Sequence, residues 1–390
     1  MSLAFVDEEL AKLEHAGRLR VLRHIDGTQG REVSVDGRRA INFSANNYLG
    51  LAGDGEVMRA LAQCADEGAG SGGSRLIVGN LLAHRELEAA LARWYGAEAA
   101  VLFNSGYQAN VGVLQALAGR GDAVFSDELN HASIIDGCRL SRADVHVYPH
   151  RDVEALERSL RRVRARRRFV VTDALFSMDG DVAPVRDLAD VCARHEAALI
   201  VDEAHAVGVV GPAGRGVAAA AGVVPDVVVG TLGKAFGTFG AFALARAAVA
   251  RWLENRARSF VFTTALPPPV VRASARALAV VAGPRGDGLR AALQNNIERL
   301  RGLLADRGVA VEPTEMTHIV PFVVGAEADA MRAAAHLLER GLYAQGIRPP
   351  TVPPGTSRLR IALMATHTEE DLVRLADGLA DVARWVGGGR

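Results

Sequence analysis

With 390 residues, 49% of them hydrophobic, the chain is long enough for a large core and points to two structural domains of an ordinary soluble globular protein. Lysine plus arginine and aspartate plus glutamate both number 45, which leaves no global basic field to attract nucleic acid or a membrane surface. The three cysteines, Cys64, Cys138 and Cys192, are too widely spaced for a disulfide framework or a metal-ligand pattern, so no metal is expected and a reduced, cytoplasmic setting fits best.

In chain order, Asp7, Glu8 and Glu9 stand where a secretory signal would carry basic residues, so none is expected. Glu8 to Leu22 has apolar residues at helical spacing and predicts an amphipathic helix. Arg31 to Phe43 alternates around Asp36-Gly37, the pattern of a hairpin. His84 to Tyr95 predicts a second helix, with Leu87 and Leu91 on one face. Strands and helices then take turns. Ala99-Phe103 precedes a helix near Gln108-Leu117, Ala123-Phe125 one near Ile134-Arg139, and Val145-Tyr148 one near Val153-Arg166. Phe169-Thr172, Ala198-Val201, Val227-Val229 and Ala241-Ala245 complete the strands. Such alternation argues for an α/β fold, a mostly parallel sheet with helices on both faces. The apolar run Val217 to Val224 is interrupted by Gly222 and stopped by Pro225, well short of a membrane span. Pro267-Pro268-Pro269 punctuates the pattern, and helices over Val270-Val281 and Gly288-Leu304 follow. A smaller unit with Thr317-Val324, Asp329-Arg340 and Arg358-Ala362 ends the chain. The expected division is an N-terminal segment 1–45, a large domain 46–275 and a small α+β domain 276–390. The basic run Arg161 to Arg168 lacks interleaved aromatics and lies at a helix end, where cations meet the dipole favourably, so it reads as a solvated surface.

Chemistry concentrates in two segments. Val201-Asp202-Glu203-Ala204-His205 follows a buried strand, and Thr231-Leu232-Gly233-Lys234-Ala235 follows a β-branched run. Strand ends are where open α/β sheets hold ligands. A lysine in a glycine-containing loop and an aspartate at a strand end suit a Schiff-base amine and a partner for a pyridinium nitrogen, the needs of pyridoxal phosphate. Each alone is more often a surface lysine or a turn aspartate; their order in the chain favours the cofactor. His205 is placed to reach the phenolic oxygen. Asn104-Ser105-Gly106-Tyr107-Gln108-Ala109-Asn110 opens a helix after a strand and suits a phosphate, to which Thr231 adds a hydroxyl. His131, in Asn130-His131-Ala132-Ser133, either stacks on a flat ring or caps a helix at the surface.

Taken with Gly70-Ser71-Gly72-Gly73-Ser74-Arg75 and Phe176-Ser177-Met178-Asp179-Gly180, these motifs occur in the order seen in α-oxoamine synthases, which the chain resembles from about Asn42 to His367. The resemblance implies the fold-type I pyridoxal-phosphate transferase fold and pyridoxal 5'-phosphate as cofactor. It implies that Lys234 binds the cofactor covalently and serves as general base and acid, and that Asp202 pairs with the ring nitrogen. It places His131 on the ring face, His205 and Ser177 at the phenolic oxygen, and Gly106, Tyr107 and Thr231 at the phosphate. Thr263 or Thr264 would reach a neighbouring copy's phosphate in a homodimer with shared sites. Arg360, Thr351, Asn46 and an N-terminal arginine, Arg20 with Arg18 and Arg23 as alternatives, would contact substrate.

Within the family, Arg348 to Arg360 leans toward enzymes that condense L-alanine with a pimeloyl thioester on the route to biotin. Asn47 departs from the aspartate usual there and is more like the enzymes that use glycine and acetyl-CoA. Serine with a long acyl chain is a further alternative, and a non-enzymatic cofactor sensor a remote one.

Overall fold

The computed structural model describes residues 3–311 and 316–387. The chain packs as two units: residues up to Ala45, Met178–Gly180 and residues from Ala292 onward form one, and Asn46–Ser177 with Asp181–Ala291 the other.

In the smaller unit, α1 (Phe5–His15) is exposed along its whole length. It ends well before Leu22, because Gly17 turns left-handed at φ 66° and the Arg18 and Leu19 N–H groups return to the Leu13 carbonyl. Three short strands follow, β1 (Ile25–Asp26), β2 (Glu32–Val35) and β3 (Arg38–Asn42), paired antiparallel. Asp36 and Gly37 both have positive φ, 49° and 81°, the pair of conformations a two-residue hairpin turn requires.

The larger unit opens with α2 (Gly55–Ala62) and α3 (Leu82–Tyr95), in which Leu87 and Leu91 are fully buried. Alternation then runs β4 (Ala99–Phe103), α4 (Gly106–Leu117), β5 (Ala123–Asp127), α5 (Ala132–Ser141), β6 (Asp144–Tyr148), α6 (Val153–Arg162), β7 (Arg168–Asp173), α7 (Val185–Arg194), β8 (Ala198–Asp202), α8 (Val217–Ala220) and β9 (Val227–Thr231). It closes with β10 (Ala241–Ala245), α9 (Ala247–Arg256), α10 (Arg258–Val261) and α11 (Pro268–Ala282). The strands form a seven-stranded sheet in the order β4-β10-β9-β8-β7-β5-β6, with β10 alone antiparallel to its neighbours. Every residue of β5, β9 and β10 is buried, as expected of strands covered on both faces. Helices α4 and α5 pack closely, for a Cβ on Gly137 would lie 2.8 Å from Leu114 Cδ1 and 3.0 Å from the Asn110 carbonyl oxygen. Their Val113, Leu114 and Ile134 join Val101, Phe103, Val124, Val171 and Val229 of the strands in one core.

Two expectations shift. Helix α6 stops at Arg162, and Arg166 and Arg167 of the basic run instead hold the buried Asp122 carboxylate. The proline run starts a helix rather than only ending a pattern: Pro267 caps α11 and Pro268 opens it, where a missing N–H costs no hydrogen bond.

Helix α12 (Pro284–Asp306) carries the chain across the division into the smaller unit. There β11 (Ile319–Gly325), α13 (Glu327–Glu339), β12 (Leu342–Tyr343), β13 (Gln345–Ile347), β14 (Ser357–Ala362) and α14 (Glu369–Gly387) follow. The sheet order is β11-β14-β13, all antiparallel, while β12 adds to β3 in parallel.

Candidate active site

In the larger unit, polar residues gather at the carboxyl ends of the parallel strands, where Asp127, Asp173, Asp202 and Thr231 each terminate an apolar run. Asp202 is buried, and both its oxygens have fixed donors: Oδ1 accepts from the Ala204 N–H at 2.8 Å and Oδ2 from the Asn110 amide at 2.6 Å. The same amide donates to Ser133 Oγ at 2.9 Å, which lies 2.7 Å from His131 Nδ1. The Ser133 backbone N–H donates to the same Nδ1 at 3.2 Å, so Nδ1 carries no proton, His131 is a neutral ring and the Ser133 hydroxyl donates to it. Burial lowers the His131 pKa; Asp202 opposes the effect and Lys234 adds to it.

A second chain of contacts starts at Lys234, in the loop after β9. Its Nζ lies 2.8 Å from His205 Nε2, and His205 Nδ1 lies 2.6 Å from the Tyr48 hydroxyl. Tyr48 donates to Asn46 Oδ1 at 3.0 Å and so accepts from His205 Nδ1–H. That tautomer leaves Nε2 to accept from the lysine. Bonds from Leu232 N–H to the Gly240 carbonyl and from Gly237 N–H to the Lys234 carbonyl, both 2.9 Å, close the lysine loop.

Gly106 and Tyr107 are the first residues of α4, where helix N–H groups have no intrahelical acceptor. Ser105 caps this end, its hydroxyl accepting from Gln108 N–H at 3.2 Å. A Cβ on Gly106 would lie 4.0 Å from Thr231 Cβ, so the two elements meet at this helix end. The Thr231 hydroxyl donates to the Gly240 carbonyl at 3.0 Å and accepts from Gly233 N–H at 3.1 Å. The Tyr107 side chain is half-exposed and donates to Asp136 at 2.5 Å, so only its backbone belongs to the helix mouth. Asn104 holds Thr263 and Thr264 through the Thr263 hydroxyl at 3.2 Å and the Thr264 carbonyl at 2.7 Å. Ser177 is half-buried in the stretch after β7.

Four contributors escaped the sequence reading as site residues: Tyr48, Asn110, Ser133 and Asp173. Asp173 pairs in register with Asp202 across β7 and β8 and accepts from the His131 N–H at 2.7 Å. Burial, with the Asp202 charge adding, pushes its carboxyl well above the ordinary range. A polar residue inside the apolar run of α4 was the available signal for Asn110. Asn47, flagged as a departure, accepts from the Ala52 N–H at 3.1 Å, a turn contact either carboxamide or carboxylate can make.

In the smaller unit Arg20 Nη2 donates to Thr351 Oγ1 at 3.2 Å. Both line a cleft of about 680 Å³ with Arg23, Met331, Tyr343 and Arg348. Arg18 pairs with Glu327 and Arg23 with Asp36, each at 2.7 Å, which leaves Arg20 on a neutral hydroxyl. Arg360 is buried on β14.

An amine, a fixed buried carboxylate, a neutral histidine and an open helix start within one unit match what pyridoxal phosphate requires. Residues 38–379 match the family described as aminotransferase class I and II. The chain is 53% identical to an 8-amino-7-oxononanoate synthase of Anaeromyxobacter dehalogenans over 369 residues, 94% of this chain and 92% of that protein. It is 48% identical to the same enzyme of Citrifermentans bemidjiense, over 97% of this chain and 98% of that protein. The chain belongs to the α-oxoamine synthases of that family. Among solved α-oxoamine synthases, serine palmitoyltransferase of Sphingomonas wittichii superposes with a TM-score of 0.91 at 36% identity, covering 99% of this chain and 98% of that one. An 8-amino-7-oxononanoate synthase of Francisella tularensis gives 0.76 at 28% identity, covering 89% and 98%. As an α-oxoamine synthase the protein is a pyridoxal-phosphate-dependent acyltransferase of fold-type I.

Proposed function

We propose that the protein condenses L-alanine with a pimeloyl thioester to give 8-amino-7-oxononanoate, carbon dioxide and free thiol, the carbon-skeleton step of biotin synthesis. The observation that carries this is identity near one-half, along nearly the whole chain, to enzymes of that activity. The superposition on serine palmitoyltransferase reports fold, which many substrates share.

In this reading Lys234 holds the cofactor covalently, Asp202 pairs with its ring nitrogen, His131 lies on its face, and His205 and Ser177 bind its phenolic oxygen. Gly106, Tyr107 and Thr231 hold the phosphate, with Thr263 or Thr264 supplied by a second copy. When bound, the cofactor's pyridinium ring serves as an electron sink for a carbanion at the amino-acid Cα. The protein's residues do the rest. The Lys234 amine would take the Cα proton and later return one, and Tyr48 would hold His205 in place. Asn110 and the Ala204 N–H hold both Asp202 oxygens in place for the ring N–H. Neutral His131 adds no cation beside that carboxylate. Arg360 grips the alanine carboxylate with a planar, two-pronged donor. Arg20, Thr351 and Asn46 contact substrate. The new C–C bond forms as the thiol leaves, and the carboxylate then departs as carbon dioxide.

A homodimer in the cytoplasm completes the proposal. On the larger unit, Leu76, Ile77, Val78, Leu82 and Phe262 are 55–78% exposed, an apolar set suited to a second copy. The three cysteines are free and buried, and no helix among the described residues is long and apolar enough to cross a membrane.

The test mixes cofactor-loaded protein with L-alanine, glycine or L-serine, each with and without pimeloyl-CoA, and follows cofactor absorbance and thiol release. Thiol release confined to alanine with pimeloyl-CoA supports the proposal. Turnover only with glycine or serine keeps the family and overturns the substrate.

A further inference from the structure

His150 lies just after β6, outside the residues assigned to the cofactor. Its Nδ1 is 3.0 Å from Asp127 Oδ1 and its Nε2 is 2.7 Å from Asp181 Oδ2. With a carboxylate on each ring nitrogen, both contacts are hydrogen bonds only if both nitrogens carry protons. An imidazolium meets that condition and neither neutral tautomer does. The edge of Phe176 closes on the ring, centroids 4.4 Å apart at 88°.

The two carboxylates belong to different loops. Asp127 ends β5, and its carboxylate also accepts from Leu129 N–H at 2.9 Å and Arg151 N–H at 2.8 Å. Its carbonyl accepts from Asn130 N–H at 3.3 Å, so Asp127 shapes the turn that delivers His131. Asp181 stands where the loop after β7 returns. Its carbonyl accepts from Phe176 N–H at 3.0 Å, and Ser177 is the next residue.

We propose that His150 is a positioning residue of the cofactor site, a charged staple that joins the loop bearing His131 to the loop bearing Ser177. The proposal rests on the assignment of those two residues to the cofactor.

Two further charged groups, Arg151 and Glu128, and one tyrosine face the staple. Arg151 Nη1 shares Asp181 Oδ2 at 3.1 Å, Glu128 Oε1 accepts from His150 N–H at 2.9 Å, and Asp127 itself borders the buried Tyr148. Burial pulls the His150 pKa down, but the bonds to Asp127 and Asp181 outweigh it and hold it at about 9. A pKa raised from the ordinary 6.5 to about 9 leaves the staple intact below 6.5 and releases it as pH rises through about 9.

Hydrogen exchange on the full-length protein, with and without pyridoxal phosphate, tests this over segments 126–133 and 174–182, with α3 as internal reference. His150→Gln should speed exchange in both segments and weaken cofactor affinity, each by about tenfold. Asp181→Asn, which keeps the ring and removes one carboxylate, should move the alkaline loss of cofactor affinity to lower pH. Unchanged exchange in both segments, or an alkaline midpoint that does not move in Asp181→Asn, would overturn the proposal. Faster exchange with unaltered cofactor affinity would also overturn the positioning role. His131→Ala and Ser177→Ala, measured in parallel, report separately on the assignment beneath it: if neither weakens cofactor binding, that assignment fails instead.

Discussion

Asn110 stands one helical turn into α4 among alanine, valine and glycine, and a single side-chain amide there serves two acceptors. Replacing it by leucine keeps the branched shape and removes the donor from Asp202 Oδ2 while leaving the carboxylate buried. Hydrogen bonds to charged groups carry enough energy that kcat/KM for the amino acid should fall by roughly tenfold or more. The same assay with Ser133→Ala, which spares the Asp202 contact, should show a smaller loss. Equal losses would mean that the amide acts on His131 rather than on Asp202. Sequence made the chemistry-bearing residues legible, since Lys234, Asp202, His205 and His131 stand in recognisable motifs. It did not make their orienting partners legible. Asn110 and Tyr48 reach Asp202 and His205 only because strands and helices distant in sequence converge, 92 residues apart in the first case and 157 in the second.

Elements were read well where burial imposes a period and poorly where chain geometry decides. The strands β4 and β10 match their expected limits because apolar runs end at turn residues, whereas α1 and α6 stop early at a left-handed glycine and at Val163. Helices α2, α7, α8, α9, α10 and α14 were not anticipated; all but α14 are pieces of ten residues or fewer. The lysine loop shows how far a turn can be dictated by one residue. Gly237 has φ 66°, and a Cβ there would lie 2.2 Å from the Ala52 nitrogen and 2.4 Å from the Leu51 carbonyl carbon. The left-handed conformation alone costs an L-residue about 1–2 kcal/mol, and the backbone overlap adds to it. Gly237→Ala should therefore lower Tm by on the order of 5 °C. It should also weaken the covalent hold of Lys234 on the cofactor, seen as loss of bound-cofactor absorbance. A stable variant with normal absorbance would show that Ala52 yields without disturbing the lysine.

For the whole molecule, the apolar residues left on the surface carry one prediction. Ile77 is 78% exposed between Leu76 and Val78, and a charge at its centre should oppose self-association if that surface meets a second copy. Ile77→Lys should shift the sedimenting mass from twice toward once the 41.2 kDa of the chain. It should weaken cofactor binding at low protein concentration, since Thr263 or Thr264 would no longer be supplied. An unchanged mass would place the dimer contact elsewhere.

Two buried groups, His367 and Glu203, contribute to the protein's pH response in opposite directions. His367 donates through Nε2 to the Asn42 carbonyl at 3.0 Å and accepts through Nδ1 from Met364 N–H at 3.0 Å, an arrangement only the neutral ring allows. Burial lowers its pKa from 6.5 to about 4, so the unfolded chain binds the extra proton and stability rises with pH between those values. Glu203 accepts from the Val217 and Ala218 N–H groups at 2.9 and 2.7 Å, yet burial raises its carboxyl from 4.5 to about 7. Here the folded chain holds the extra proton, and stability falls as pH rises from 4.5 to about 7. Each group changes stability by about 1.4 kcal/mol per pH unit inside its window, so over the shared span the two slopes cancel. His367→Gln should leave Glu203 unopposed, and Tm relative to wild type should then fall as pH rises through that span. Glu203→Gln should do the reverse, with relative Tm rising. Melts of the three proteins without added cofactor decide it. Parallel profiles for both variants would mean that burial shifts neither group as the two opposing slopes require.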